Sequence, residues 1–219
     1  MKESFPSQVG DEGLNTLAGK DSRQPQIYII RAWFMAPYKS FPEEEHLYFV
    51  TSSIVGHKYL FHKPEYAQII LDSLSFLRSQ RRIKLYAFVI MPNHFHLIIE
   101  VLGASNISNL AHDLKLFTAN QIIKKLQTNR ELHLLDYFRQ QAKGTKKQKH
   151  KVWETGFWDK NIFSEEFLRE KMEYIHNNPV NKNWCLVEER SEYPLSSARF
   201  YDKGEKAIVD IDDVRELVC

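Results

Sequence analysis

The stretch IKLYAFVIMPNHFHLIIEV, residues 83–101, consists of two short apolar runs separated by MPN at 91–93. Both runs are rich in β-branched and aromatic residues, and the interruption is typical of a tight turn, so the stretch predicts two adjacent strands. Because successive side chains of a strand point to opposite faces, His94 and His96 share one face of the second strand. The other face is wholly apolar and consists of Phe95, Leu97, Ile99 and Val101.

Two imidazoles on one face of a strand lie about 7 Å apart along the chain, at about 3.3 Å per residue. At that spacing His94 and His96 can converge on one metal ion. A structural interpretation is also open, in which one histidine is buried and hydrogen-bonded and the other faces solvent.

The flanking segments place this hairpin in a larger pattern. A β-type run covers residues 47–55, and a helix opens near Pro64, where proline suits the first turn. After the hairpin, a second helix begins at 106–108, and the run VWETGFW (152–158) predicts a fourth strand. The second helix places apolar side chains at helical spacing: Ile107, Leu110, Leu114, Phe117 and Ile122. The resulting β-α-β-β-α-β order predicts an α+β fold of the ferredoxin-like type, an antiparallel sheet with two helices on one face.

An added C-terminal helix follows this core. Ser164 is a suitable N-cap, and Pro179 ends the helix. Its core stripe consists of Leu168, Met172 and Ile175. Tyr174 and Asn178 are four residues apart and therefore lie together at the rim of that stripe. One rigid element thus presents a phenol and an amide.

Composition excludes several classes of protein. The chain has 219 residues, 43% hydrophobic, with a net charge of +2, so a nucleic-acid site has to depend on local patches. Its two cysteines, Cys185 and Cys219, argue against a thiolate zinc site and a disulfide framework. No apolar run near the start is long enough for a membrane span or has the form of a signal peptide, so we expect a cytoplasmic protein.

Basic residues are concentrated in the segment RQQAKGTKKQKHK (139–151). Lys143, Lys146 and Lys147 lie in it and are candidates for DNA binding, although such a run is also typical of a solvated loop. Arg81, Arg82 and Lys115 are further candidate DNA contacts. The aromatic residues Trp153, Phe157 and Trp158 can stack bases or pack in the core, whereas Trp184 is expected to anchor the last loop.

The candidate residues fit one chemistry in particular. A tyrosine hydroxyl is a weak nucleophile at its ordinary pKa of about 10 and needs an activated electrophile. A metal ion held by two histidines and an amide polarises a phosphodiester, so Tyr174 can attack a DNA phosphate and form a phosphotyrosine. One alternative stays open here, in which water attacks while Tyr174 only positions the phosphate.

Three motifs resemble those of one protein family. MPNHFHLIIE (91–100) resembles the His-hydrophobe-His motif of the HUH single-tyrosine transposases, which are IS200-like. YIHNNPV (174–180) resembles the tyrosine motif of that family, and YPLSSARFY (193–201) is similar to the Ser-Ser tail of REP-associated tyrosine transposases. The motifs occur in the same order at compatible distances, and the resemblance covers residues 46–202.

The resemblance implies a function and a division of the chain. It implies a metal-dependent endonuclease and strand transferase acting on single-stranded, hairpin-containing DNA through a 5′-phosphotyrosine. Tyr174 would be the nucleophile, and His94, His96 and Asn178 would hold Mg²⁺ or Mn²⁺. We expect a partly disordered arm over 1–45, the endonuclease domain over 46–202 and a tail over 203–219. Monomer and homodimer both stay open, as does the alternative of a DNA hairpin-binding protein with the same fold that no longer transposes.

Overall fold

A computed structural model describes residues 47–103, 106–143, 148–156 and 158–217. The expected arm over 1–45 lies outside the described residues, as do Lys146, Lys147 and Phe157.

Four strands form one antiparallel sheet. They are β1 (Leu47–Ser53), β2 (Ile83–Met91), β3 (His94–Val101) and β4 (Trp158–Asn161). Their order in the sheet is β2-β3-β1-β4, and every neighbouring pair is antiparallel. Strands that are consecutive in the chain are therefore separated in the sheet except at the β2–β3 hairpin. This order confirms the ferredoxin-like arrangement.

Within the described ranges, five α-helices accompany the sheet: α1 (Pro64–Ser79), α2 (Ile107–Thr128), α3 (Leu132–Gln141), α4 (Glu165–Asn177) and α5 (Ala198–Lys203). Short 3₁₀ turns lie at Val55–His57, Leu60–His62, Arg190–Glu192 and Val214–Leu217. The first two helices begin where the sequence predicts. Pro64 opens the first turn of α1, and the Asn106 side chain accepts a hydrogen bond from the Asn109 N–H at the start of α2. None of the helices in the described ranges is long and apolar enough to cross a membrane.

Two local predictions were wrong, and one helix was missed. The fourth strand is the polar segment Trp158–Asn161 and not 152–158, where Trp153 makes only an isolated bridge to Ile54. Phe117 is 54% exposed although it was expected in the apolar stripe of α2. The ten-residue helix α3 was not predicted, although Leu134, Leu135 and Phe138 lie at helical spacing and pack against the larger core.

The sheet has two apolar faces. On one face, the predicted apolar side chains of β3 pack with α1 and α2 in the larger core. On the other face, Phe49, Val89 and Ile98 pack against the core stripe of α4. The helix that carries Tyr174 therefore covers the face on which both histidines lie.

The outer edge of β2 is covered by the chain's own C-terminal segments. Ser197 donates its N–H to the Phe88 carbonyl and accepts the Phe88 N–H on its hydroxyl. Ile90 donates its N–H to the Leu195 carbonyl at 2.8 Å. Further along, Asp212 bonds both the N–H and the carbonyl of Leu85. Residues 193–212 thus pair with β2 in place of another strand.

Candidate active site around His94, His96 and Tyr174

The two histidines lie at one end of the sheet, on its central strand β3. His94 is opposite Ser53 on β1 and Met91 on β2, and His96 is opposite Thr51 and Val89. Their ring centroids are 4.7 Å apart in an edge-to-face arrangement. The alternation of the strand therefore brings the two imidazoles together as the sequence predicts.

Neighbouring polar groups fix the ring nitrogens of both histidines. The Nδ1 of His94 lies 2.6 Å from the Asn93 amide oxygen, and the Asn93 amide nitrogen donates to the His57 carbonyl. Because an amide oxygen only accepts, His94 carries its proton on Nδ1 and keeps a lone pair on Nε2. The Nδ1 of His96 lies 2.7 Å from the Thr51 hydroxyl.

The Nε2 atom of His96 is buried and has no hydrogen-bond partner among the described residues. A proton on this nitrogen would be a buried donor without an acceptor, which costs about 1–3 kcal/mol. Donation from Nδ1 to Thr51 avoids that cost and leaves a lone pair on Nε2. Both imidazoles then present Nε2 lone pairs, which is the tautomer that a metal ion requires.

Burial also keeps both rings neutral. It lowers the pKa of His94 to about 4, with a further contribution from His57. Burial, the nearby His94 and the Lys171 ammonium lower the pKa of His96 to about 3. Neutral imidazole is the form that coordinates metal, so no proton has to leave before a cation binds near neutral pH.

Tyr174 projects toward this pair from α4. The Ser164 hydroxyl accepts the Phe167 N–H at the start of the helix, so the predicted N-cap is confirmed. The Tyr174 ring lies 5.0 Å from the His96 ring, edge to face, and 5.9 Å from that of Phe49. With 48% of its surface exposed, Tyr174 is anchored on one side and open to a substrate on the other.

Asn178 follows Tyr174 by one helical turn. It is the C-cap of α4 and keeps helical dihedral angles (φ −55°, ψ −46°), so its side chain lies on the same side of the helix as Tyr174. It is buried, unlike Tyr174. No hydrogen bond joins its side chain to either imidazole within the described part of the chain. A metal bridge between helix and strand therefore stays a prediction.

Lys171 adds a positive charge beside the tyrosine. Its ammonium lies 5.9 Å from the centre of the Tyr174 ring, 5.5 Å from that of Phe49 and 4.8 Å from that of Phe167. It also pairs with the exposed Glu170 at 2.6 Å. The positive charge of Lys171 disfavours binding of a metal ion at the histidines unless an anion lies between the two cations.

The donor set fits a divalent cation with open coordination positions. Two neutral imidazoles present lone pairs, and an amide oxygen is available one helical turn from the tyrosine. Across the described ranges, no group of three or more His, Cys, Asp or Glu side chains is placed to hold a metal ion. A metal site here consequently depends on the histidine pair together with a ligand of another type, and Asn178 is the candidate.

A second buried histidine connects two of the sequence motifs. His176 lies in YIHNNPV, and its Nε2 is 2.9 Å from the hydroxyl of Ser197 in the Ser-Ser tail. Complete burial lowers the pKa of His176 to about 3. Since Ser197 is also bonded to Phe88 of β2, this contact fastens the tyrosine helix to the edge of the sheet.

The proposed DNA-binding residues do not form one patch. Arg81 and Arg82 precede Ile83, which pairs with Val101 at the other end of β3 from His94. The length of β2 separates them from the histidines by roughly 25 Å. Arg82 also forms an ion pair with Asp113 at 2.9 Å.

The candidate lysines also differ in their surroundings. The ammonium of Lys115 donates to the carbonyls of Glu154 and Gly156, and burial lowers its pKa. Lys143 is exposed after the end of α3, and Lys146 and Lys147 lie outside the described residues. A DNA-binding role for these residues stays a prediction, and the hydrogen bonds of Lys115 indicate that it also stabilises the segment before β4.

Sequence reasoning missed three residues of the site. Thr51 and Asn93 orient the imidazoles, and Lys171 places a charge beside Tyr174. Asn93 directly precedes the histidine motif, so its position was a usable signal. Thr51 is 45 residues from His96 in the chain, and only the pairing of β1 with β3 brings them together.

Comparison with known proteins shows what parts of this chain are similar to. The family model described as "Transposase IS200 like" matches residues 46–140. This segment is therefore similar to the IS200-like transposases over less than half of the chain. The match includes both histidines and ends before Tyr174 and Asn178, so it does not extend to the whole candidate site.

Solved structures that are similar to this chain include the following two. One is a REP-associated tyrosine transposase bound to a REP hairpin, with a TM-score of 0.52 and 21% identity over 82% of this chain and 93% of that one. The other is a protein of Deinococcus radiodurans R1 assigned as a transposase, with a TM-score of 0.41 and 17% identity over 64% and 96% of the two chains. The first supports the fold as a whole. No curated protein matches the chain.

Proposed function

We propose that this chain is a metal-dependent endonuclease and strand transferase that acts on single-stranded DNA containing a hairpin. The observation that carries the proposal is the convergence of Tyr174 with two neutral imidazoles, its ring 5.0 Å from that of His96. The hairpin is suggested by the similar structure, which is bound to a REP hairpin. His94, His96 and Asn178 would hold Mg²⁺ or Mn²⁺, and this metal site is part of the proposal.

The residues of the chain have separate tasks in this reaction. The Tyr174 oxygen attacks the phosphorus and loses its proton, and the bond from phosphorus to the 3′ oxygen breaks. That oxygen takes up a proton and leaves as a 3′ hydroxyl, while the 5′ phosphate stays on the tyrosine. In the joining step a 3′ hydroxyl attacks the phosphotyrosine, and Tyr174 recovers its proton.

Other groups prepare the phosphate for attack. When bound, Mg²⁺ or Mn²⁺ supplies Lewis-acid polarisation of a phosphoryl oxygen and stabilises the leaving oxygen. The Lys171 ammonium beside Tyr174 adds positive charge where the phosphate would lie. Thr51 and Asn93 hold the imidazoles in the tautomer that binds metal.

The test is the covalent adduct. Incubation with labelled single-stranded hairpin DNA and Mn²⁺, followed by a denaturing gel, should show a protein–DNA band for the unmodified protein and none for Tyr174→Phe. Tyr48→Phe is a matched control, because it removes the hydroxyl of a tyrosine that packs on the opposite face of the sheet, and it should leave the adduct unchanged.

The gel also separates the alternatives. Cleavage without an adduct in both the unmodified protein and Tyr174→Phe indicates attack by water. Hairpin binding without cleavage indicates a protein that recognises the DNA and no longer transposes it. An adduct of undiminished yield in Tyr174→Phe removes Tyr174 as the nucleophile.

A further inference from the structure

A row of five aromatic rings crosses the candidate site. Successive ring centroids along Tyr59, Trp184, His94, His96 and Tyr174 are 5.5, 5.9, 4.7 and 5.0 Å apart. The proposed nucleophile is at one end of this row, and the pair Tyr59–Trp184 is at the other. We propose that this pair, the aromatic platform, stacks an unpaired base of single-stranded DNA next to the phosphate that lies at the histidines. The inference rests on the proposed function.

Exposure makes the platform accessible to a base. Tyr59 is 60% exposed, and Trp184 is half-buried against the core of the α4 face. The two rings are tilted by 46°, so they are not stacked face to face on each other. Aromatic faces bind unpaired bases regardless of sequence, whereas bases in a duplex are already stacked.

Both rings are fixed by elements that also build the candidate site. The backbone N–H of Trp184 donates to the Asn181 carbonyl in the turn that follows α4. The backbone N–H of Leu186 closes this turn by donating to the Pro179 carbonyl. Near Tyr59, the Phe61 N–H bonds the carbonyl of Pro92 in the turn that leads into His94. The platform therefore keeps a defined position relative to both the histidines and the tyrosine.

Other aromatic residues in the described part of the chain are less suitable for stacking a base beside the histidines. Trp153 is buried in the core of the opposite face and donates its indole N–H to Thr118 at 3.2 Å. Phe76 is 59% exposed but lies near the C-terminal end of α1, close to the start of β2 and away from His94. Phe76 is therefore a matched control for Tyr59.

The first experiment measures binding of a fluorescent hairpin oligonucleotide with a single-stranded flank, in EDTA so that no cleavage occurs. Trp184→Ala and Tyr59→Ala should each weaken binding by roughly 5- to 100-fold, the usual range for loss of one stacking partner. Trp184→Phe should keep most of the affinity, and Phe76→Ala should bind like the unmodified protein. Binding should also quench tryptophan fluorescence, and Trp184→Phe should lose that quenching.

The second experiment identifies the base. One abasic nucleotide is moved along the flank, and at one position it should weaken binding by the unmodified protein but not by Trp184→Ala. Equal sensitivity of both proteins at every position would overturn the platform, as would unchanged affinity in both alanine variants. If the unmodified protein binds no single-stranded flank at all, the proposed function fails first. Far-UV circular dichroism of Trp184→Ala separates loss of stacking from loss of fold, and Tyr59→Ala tests the platform at a position where no core packing is removed.

Discussion

Lowering the pH from about 7.5 to about 5.5 should leave the affinity of the histidine pair for Mn²⁺ nearly unchanged. A metal ion competes with protons for the imidazole lone pairs, so affinity follows the fraction of protein in which both rings are neutral. The pKa values are about 4 for His94 and about 3 for His96, mainly because burial disfavours the charged rings. Both lie well below the range of the experiment.

The contrast with ordinary histidines is large. With pKa values of about 6.5, both rings would be neutral in about 80% of molecules at pH 7.5 and in roughly 1% at pH 5.5. The affinity would then fall about 100-fold. With the lowered values, both rings stay neutral in about 97% of molecules at pH 5.5, so the expected loss is less than about 1.1-fold.

Isothermal titration calorimetry with Mn²⁺ at both pH values measures this directly. Titrations in two buffers with different heats of ionisation should show that almost no proton is released on binding. Far-UV circular dichroism at each pH verifies that the protein stays folded, and His96→Ala should remove the binding heat. A fall in affinity of about tenfold or more with the fold intact would refute the claim that burial keeps the pair neutral.

Three further predictions follow from the site. Asn178→Ala should raise the Mn²⁺ concentration needed for cleavage, and the rate at saturating Mn²⁺ should stay low, by on the order of 100-fold if the tyrosine shifts by about 1 Å. Asn178→Gln should recover part of the rate. An unchanged metal titration would mean that Asn178 only ends the helix. Lys171→Gln should reduce the slope of log affinity for single-stranded DNA against log salt concentration by about 0.7, and an unchanged slope would place the phosphate elsewhere. The same substitution should tighten Mn²⁺ binding in the absence of DNA. His94, His96 and His176 have folded-state pKa values below the unfolded value. Their contribution to the free energy of unfolding is therefore fully present above pH about 6.5 and is lost as the pH drops toward 3. Their contribution should fall by about 4 kcal/mol between pH 7.5 and 5.5 in metal-free protein, and urea unfolding of His176→Gln should show about two thirds of that change.

The sequence was sufficient for features that depend on local periodicity. Alternation along β3 predicts the two histidines on one face, and helical spacing predicts Tyr174 and Asn178 on one side of α4. The Ser164 N-cap is a local signal of the same kind. These patterns need no knowledge of which strands pair.

Features that depend on which strands pair, or on contacts between residues far apart in the chain, were harder to predict. β4 consists of the polar residues at the edge of the sheet, whereas the more apolar Val152 and Trp153 are buried without forming a regular ladder. The tautomer of His96 depends on Thr51, which belongs to a different strand. The aromatic platform joins Tyr59 to Trp184 across more than half of the described chain, and neither residue lies in a recognisable motif.

The covered edge of β2 limits how copies of this chain can associate. Leu85, Phe88 and Ile90 already have hydrogen-bond partners within their own chain. Two protomers consequently cannot merge their sheets through this edge unless residues 193–212 first detach, and detachment would also break the contact between Ser197 and His176. Self-association by strand exchange at β2 would therefore remove one attachment of the tyrosine helix, so a homodimer that keeps the candidate site unchanged has to be built on another surface.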